Sequence, residues 1–219
     1  MRTSEAAVEI KRLYNRLVRR SGKPKQTGQT EPLEQMLRSI LMRGTTETRA
    51  NAAMKQIARH TVDLNELRVT PPAEIVAMIG KRFPDAEAKA VDIRRVLNGI
   101  FDRQNTLDLS GLSAMNKPEV REWLESLPGI DPYTVASVML LSFGLHAVPV
   151  DRSVLELLQR EGILDADADP ATLQNALERH IPVRDAYAFS VVMQRHAAAR
   201  APRTAKSRKT SRPRTSPAS

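Results

Sequence analysis

The segment LPGIDP (127–132) joins two predicted helices and carries residues suited to binding a phosphate. Gly129 fits a turn that needs a positive φ angle or a close backbone approach. Asp131 can cap the second helix, and Pro132 fits its first turn. The N–H groups at such a helix start are a natural seat for an anion. An ordinary helical hairpin has the same shape, so the shape by itself leaves both interpretations open.

Asp151 is the second candidate, because its carboxylate stands directly before the predicted helix that begins Arg152-Ser153-Val154. Aspartate is one of the preferred residues for capping a helix N-terminus. Taken alone, the residue is therefore interpreted as a cap. A catalytic interpretation needs support from the surrounding sequence.

Several other chemistries are excluded by residue type or spacing. The 219 residues contain no cysteine, so we expect no disulfide, no thiolate zinc site and no iron–sulfur cluster. The four histidines lack the spacing of metal ligands, and we predict neither a metal nor another cofactor. Phosphate-binding loops, Ser-His-Asp patterns and dinucleotide-binding patterns are not found in the sequence.

The elements that must position these residues are predicted to be helices. Abundant Ala and Leu, few Gly and few β-branched runs favour an all-α fold. Apolar periodicity, with prolines near the helix starts, predicts helices at 4–20, 72–80, 85–103, 117–126, 132–145, 152–161, 170–180 and 184–199, and two more between residues 31 and 60. Residues 200–219 have no large apolar side chain, and we expect them to be disordered.

Positive charge is concentrated at the two ends of the chain. The net charge is +9, with +6 in residues 1–30, +7 in residues 200–219 and −4 between them. Basic ends on a mildly acidic body favour a polyanion partner, with nucleic acid the commonest, and a solubilising tail is the alternative. The amphipathic start lacks the apolar core of a signal peptide, and the most apolar stretch, 135–150, is too short to span a bilayer. We therefore expect a cytoplasmic protein with no membrane partner.

The hairpin and the aspartate together resemble a known family. The segment LPGIDPYTVASV is similar to the helix-hairpin-helix signature of the endonuclease III superfamily of DNA glycosylases. Downstream, VDRSV (150–154) resembles its Val-Asp-x-x-Val motif, with Asp151 eighteen residues after Tyr133, as the family's spacing requires. The segments EPLEQMLRSILMRGTTE and AEAKAVDIRRV resemble its base-flipping loop and its long central helix. The resemblance covers about residues 31–199.

The resemblance implies a site on double-stranded DNA. Asp151 would be the catalytic carboxylate that supports departure of a flipped-out base, with Tyr133 beside it. The remaining candidates would contact DNA: the hairpin residues Leu127, Gly129, Ile130, Asp131 and Thr134, the loop residues Arg43 and Thr45, and Arg152.

The sequence also departs from the family's pattern. Tyr133 stands where bifunctional members carry a lysine that forms a Schiff base, so lysine-dependent lyase activity is not expected. Gly44 replaces the polar wedge of the base-flipping loop, and Asp131 replaces the second glycine of the hairpin. Arg152-Ser153 follows the aspartate in place of Thr-His, and Ala198 aligns with the first cluster cysteine.

These observations predict a two-lobed all-α fold with the hairpin at the interlobe cleft. One lobe would span residues 31–145, with the hairpin at 117–145, and the other would combine 1–30 with 146–199. The predicted function is a monomeric, nucleoid-associated, monofunctional glycosylase of base excision repair. A catalytically decayed DNA-binding protein and an unrelated helical interaction domain are the alternatives.

Overall fold

The computed structural model describes residues 3–26 and 28–200, and within them every regular element is a helix. This confirms the predicted all-α class. The elements are α1 (Thr3–Ser21), α2 (Pro32–Met42), α3 (Glu47–His60), α4 (Leu64–Val69), α5 (Pro72–Ile79), α6 (Ala86–Gln104), a 3-10 helix (Ser110–Ala114), α7 (Lys117–Glu125), α8 (Pro132–Leu141), α9 (Arg152–Arg160), α10 (Pro170–His180) and α11 (Val183–Arg200). None of the helices in these ranges is long and apolar enough to cross a membrane.

Local capping explains where most of the helices begin. Asn116 and Glu119 form a reciprocal capping box at α7, and the side chains of Asp131, Asp151 and Asp169 each accept a backbone N–H of the helix that follows. The prediction missed α4 and the 3-10 helix, because elements of five or six residues carry too little apolar periodicity to be recognised. Helix α8 ends at Leu141, four residues before the predicted end.

Helix α2 lies at the centre of one group of helices. It packs against α3, α6 and α8, while α5 packs on α3 and α6. Its side chains Met36, Leu37, Ile40 and Leu41 are almost fully buried. Helix α8 is buried on every side, because its residues from Tyr133 to Leu140 are all shielded from solvent. A helix without a polar face must be surrounded by other elements.

A second group of helices covers the other side of α8. Helix α1 packs on α10 and α11, α9 packs on α11, and both α10 and α11 contact α8. The rings of Tyr14 and Phe189, 5.4 Å apart, join α1 to α11. Buried apolar residues from both groups form one continuous core. The proposed division into two lobes stays a prediction.

The segment just after α1 lies against the first turn of α11, where Lys23 forms an ion pair with Asp185. Burial lowers the pKa of His196, and the nearby Arg200 and Arg20 lower it further. Arg200, the last residue of α11, forms an ion pair with Glu161 and therefore belongs to the helix rather than to the predicted tail. The rest of that tail, residues 201–219, lies outside the described residues.

The turn between α7 and α8 rests directly on α6. Pro128 packs so tightly on Gly99 that a Cβ atom at Gly99 would lie 2.7 Å from the proline Cδ. Gly129 has a φ of +86° and faces Asp92, about two turns before Gly99 on α6. Arg103 of α6 donates to the backbone oxygen of Ser126 at 2.5 Å. Small residues on α6 therefore determine how closely the hairpin can approach.

This contact yields a stability prediction. Gly99→Ala should lower the free energy of unfolding by about 1–3 kcal/mol, because the added methyl overlaps Pro128 and forces the hairpin away from α6. Gly111→Ala is the matched control, since its Cβ would meet nothing within 4 Å. That variant should stay within about 0.5 kcal/mol of the wild type. Urea unfolding followed by circular dichroism measures both, and equal stability of the two variants would contradict the proposed close contact.

Candidate active site

Asp151 occupies the N-terminal cap of α9 and is almost completely buried, with 5% of its surface exposed. Its Oδ1 accepts hydrogen bonds from the backbone N–H of Val154 and from the hydroxyl of Ser153, both at 2.8 Å. Burial raises the pKa of Asp151, and these hydrogen bonds oppose the increase by favouring the anion. The prediction that Asp151 caps a helix is therefore confirmed. Unlike the carboxylate of an ordinary surface cap, the carboxylate of Asp151 is buried.

Tyr133, near the start of α8, lies close enough to Asp151 to be influenced by its charge. Burial raises the pKa of the Tyr133 phenol well above its ordinary value, and the Asp151 carboxylate raises it further. The phenol accepts a hydrogen bond from Nε2 of Gln194 at 3.1 Å and donates to Sδ of Met42 at 3.9 Å. Tyr133 thus joins the end of α2 to α11.

Two glutamines complete this site, and the sequence analysis did not identify them. Gln194 comes from α11 and bonds Tyr133, as described. Gln174 of α10 is 2% exposed; with its amide oriented to suit its neighbours, it donates to the Pro132 carbonyl and accepts from the N–H of Val150, each at 3.2 Å. It therefore ties the start of α8 to the residue before Asp151. Its position among the buried residues Leu173, Ala176 and Leu177 of α10 was the available signal.

A buried lysine binds the backbone where the loop after α2 begins. Lys89 of α6 is 1% exposed, and its Nζ donates to the carbonyls of Leu41 at 3.0 Å and Arg43 at 2.5 Å. The ammonium also lies 4.7 Å from the centre of the Phe83 ring. Burial lowers the pKa of Lys89 to about 8. These contacts fix the last turn of α2 and the direction in which the loop leaves it.

Arg43 connects this loop to the hairpin. Its guanidinium forms ion pairs with Asp92 of α6 at 2.6 Å and with Asp131 at 3.4 Å. Asp131 caps α8 at the same time, because its Oδ1 accepts the N–H of Thr134 at 2.7 Å. Gly44 follows with no side chain to offer and is exposed to solvent. Of the two loop residues predicted to contact DNA, Arg43 is therefore already paired with two carboxylates.

The other predicted DNA-contacting residues differ in accessibility. Leu127 is buried and belongs to the core, whereas Gly129 and Ile130 are half-buried in the turn. The hydroxyls of Thr45 and Thr134 are buried without a hydrogen-bond partner. Arg152 is exposed and pairs with Glu156 at 2.8 Å.

In the part of the chain that the structure describes, no three or more His, Cys, Asp or Glu side chains are grouped so that they could hold a metal ion. An iron–sulfur cluster of the kind found in this fold family requires cysteine thiolates. The 219 residues contain no cysteine and do not fit such a cluster. The chemistry available at the site is therefore that of a buried carboxylate beside a phenol.

The chain has relatives among plant proteins, although no family profile matches it. It is 26% identical over 160 residues to a candidate DNA glycosylase of Arabidopsis thaliana, covering 72% of this chain and 53% of that protein. It is 32% identical over 123 residues to DEMETER-like protein 2 of the same plant, covering 56% of this chain and 9% of the relative. The chain thus spans at most about half the length of these curated relatives.

Solved structures show the same architecture. A trapped endonuclease III–DNA covalent intermediate superposes with a TM-score of 0.66 at 19% identity, covering 86% of this chain and 84% of that one. The 3-methyladenine DNA glycosylase of H. pylori gives 0.63 at 14% identity, covering 91% and 98%. The 8-oxoguanine glycosylase/lyase of Clostridium acetobutylicum gives 0.67 at 15% identity, covering 91% and 71%. The chain therefore has the fold of the endonuclease III-like helix-hairpin-helix DNA glycosylases, which confirms the resemblance predicted from its hairpin and aspartate motifs.

Proposed function

We propose that this protein is a monofunctional DNA glycosylase that hydrolyses the N-glycosidic bond of a flipped-out damaged or mismatched base. The observation that carries the proposal is the buried Asp151 carboxylate at the start of α9. It lies close to Tyr133 of α8, the second helix of the hairpin. A carboxylate whose pKa is raised by burial is more typical of functional sites than of ordinary helix caps. The similar structures include complexes with DNA, which supports duplex DNA as the substrate.

The carboxylate has a definite role in this reaction. When the base departs, positive charge develops on the deoxyribose, and an anion nearby stabilises that transition state. Water is excluded around Asp151, so its charge acts through a medium of low polarity and is screened little. The hydrogen bonds from Val154 and Ser153 hold Oδ1 in position and keep the carboxylate available as the anion.

Access to this carboxylate requires a local rearrangement. Tyr133 and Asp151 are only 8% and 5% exposed in the DNA-free protein. The contacts of the Tyr133 hydroxyl with Gln194 and Met42 are single and weak enough to be exchanged for contacts with a base. We therefore propose that a flipped base enters by displacing Tyr133 from Gln194, and that the amide of Gln194 then faces the base.

The same geometry argues against lysine-dependent strand cleavage. Tyrosine cannot form the imine that joins an amine to an abasic sugar. The buried amine of Lys89 has a lowered pKa, yet its Nζ is already bonded to the carbonyls of Leu41 and Arg43. Lys89 is therefore interpreted as a residue that positions the loop rather than as a nucleophile.

A catalytically decayed DNA-binding protein is the second candidate function. It is favoured by Gly44, which cannot fill the space left by an extruded base, and by the closed state of the site. Such a protein would bind duplex DNA through the hairpin and the basic ends without releasing any base. Incubating the purified protein with a panel of damaged and mismatched duplexes and measuring base release separates the two functions.

The carboxylate's role predicts the behaviour of Asp151→Asn. Base release should fall by about a hundredfold or more, since the group that stabilises the transition-state charge is lost. Binding to an intact duplex should be unchanged, and the melting temperature should not fall, because asparagine caps a helix as well as aspartate does. Asp169→Asn, which changes the equivalent cap of α10, is the matched control and should keep full activity. Full activity of Asp151→Asn would refute the role assigned to the carboxylate.

The raised pKa of Asp151 predicts the pH dependence of base release. The anion is the active form, so the rate should fall as the pH drops through a midpoint above the ordinary aspartate value of about 3.9. Ser153→Ala removes a hydrogen bond that lowers this pKa, so the midpoint should move to higher pH. Thr172→Ala removes the corresponding bond to Asp169 and should leave the profile unchanged. An unshifted midpoint in Ser153→Ala would mean that another group controls the acidic limb.

Borohydride trapping tests the absence of lyase chemistry. The wild-type protein should form no covalent adduct with an abasic duplex, because Tyr133 cannot form an imine and, within the described residues, the buried amine of Lys89 is already bonded to two carbonyls. Tyr133→Lys supplies an amine at that position and should become trapped. The readout is a shifted band in denaturing electrophoresis. A wild-type adduct would contradict the prediction, and its loss in Lys89→Met would identify the buried lysine as the reacting amine.

A further inference from the structure

The hairpin of this protein presents a charged group at the place where its free N–H groups would meet a phosphate. The carboxylate of Asp131 accepts the N–H of Thr134 at 2.7 Å, so one of the N–H groups at the start of α8 already has an anion bound to it. Backbone donors at a helix N-terminus favour negative charge, whether the charge comes from a side chain or from a ligand. Asp131 and a DNA phosphate are therefore alternatives for the same donors.

The second observation is a cation shared by two carboxylates. Arg43 pairs with Asp131 at 3.4 Å and, more closely, with Asp92 at 2.6 Å, and its Nε also donates to the carbonyl of Ile40 at 3.2 Å. The contacts with Asp92 and Ile40 do not involve the hairpin. The guanidinium therefore stays at the rim of the turn even when its weaker contact with Asp131 is broken.

The turn itself cannot move away to resolve this competition. Gly129 leaves no room for a side chain above Asp92, and Pro128 is pressed against Gly99 of α6. The carboxylate of Asp131 is about a quarter exposed, so its side chain can leave the cap without any movement of the turn. An approaching phosphate therefore has one route to the helix start, which is to displace that carboxylate.

We propose that Asp131 is an intramolecular competitor for the DNA phosphate at the hairpin, and that Arg43 is transferred from Asp131 to the phosphate when DNA binds. The inference rests on the proposed function to the extent that the hairpin binds DNA, but it does not require catalysis. Its consequence is that the hairpin binds duplex DNA less tightly than its backbone geometry allows. Tight binding then depends on contacts elsewhere, such as those of the basic ends.

The variant Asp131→Asn separates competition from capping. Asparagine caps a helix as well as aspartate does, so α8 stays capped in the absence of DNA. Its neutral amide oxygen accepts a weaker hydrogen bond than a carboxylate does and does not repel a phosphate, so it is displaced more easily. The probe is a fluorescein-labelled duplex with a tetrahydrofuran abasic analogue, and its anisotropy is measured over a series of KCl concentrations. Affinity should rise about twofold to fivefold, the range typical of a partly exposed charge pair. The dependence of log affinity on log salt should steepen by about 0.9, as expected for one more neutralised phosphate.

Two further variants make the test specific. Asp167→Asn removes an exposed carboxylate from the loop between α9 and α10, and it should leave both affinity and salt dependence nearly unchanged. In an Arg43→Gln background, where the transferred cation is missing, Asp131→Asn should give a smaller gain than in the wild type. Melting temperatures of all variants establish that each protein is folded.

Each outcome of these measurements either supports or overturns the competition between Asp131 and the phosphate. A gain confined to Asp131→Asn and reduced without Arg43 supports the competition. Equal gains in Asp131→Asn and Asp167→Asn would reduce the effect to overall charge, and no gain in either would leave Asp131 as a cap only; both results overturn the proposal. If the gain is found while the wild type releases no base from any duplex, the competition stands and the glycosylase function fails.

Discussion

The structure depends on the complete burial of α8. From Tyr133 to Leu140 this helix has no polar face, so it is stable only when other helices enclose it. Helices α2 and α7 cover it on one side, and α10 and α11 cover it on the other. The hairpin at its N-terminus is consequently held at a fixed place against α6. Every residue of the candidate site is positioned relative to this one helix.

Burial also determines the chemistry of the charged groups around it. Asp151 and Lys89 are both buried. Burial raises the pKa of Asp151 and lowers that of Lys89, so in each case it favours the neutral form. Hydrogen bonds compensate for this cost: Asp151 receives a backbone N–H and a hydroxyl, and Lys89 donates to two carbonyls. The lysine bonds to carbonyls of a loop, whereas the aspartate lies close enough to the Tyr133 phenol to raise its pKa. The two residues have similar burial but different neighbours, and the neighbours distinguish their roles.

Much of the fold could be predicted from the sequence because its signals are local. Apolar periodicity and capping residues located the long helices, and Asp131 and Asp151 were recognised as caps from the residues beside them. The resemblance to the endonuclease III superfamily, which includes the eighteen-residue spacing from Tyr133 to Asp151, also led us to expect Tyr133 beside Asp151. Helix α4 was missed, because six residues carry little periodic information.

The sequence by itself therefore determined most of the helices, the hairpin turn and the caps formed by Asp131 and Asp151. Only the tertiary structure decided which distant side chains surround them. Gln194 reaches Tyr133 across 61 positions, and Arg43 reaches Asp92 across 49. Such contacts follow from how α2, α6, α8 and α11 pack together, and packing angles depend on the combined shape of many side chains. No local spacing encodes them, so the buried surroundings of Tyr133 and the arginine shared by Asp92 and Asp131 became visible only in the folded chain.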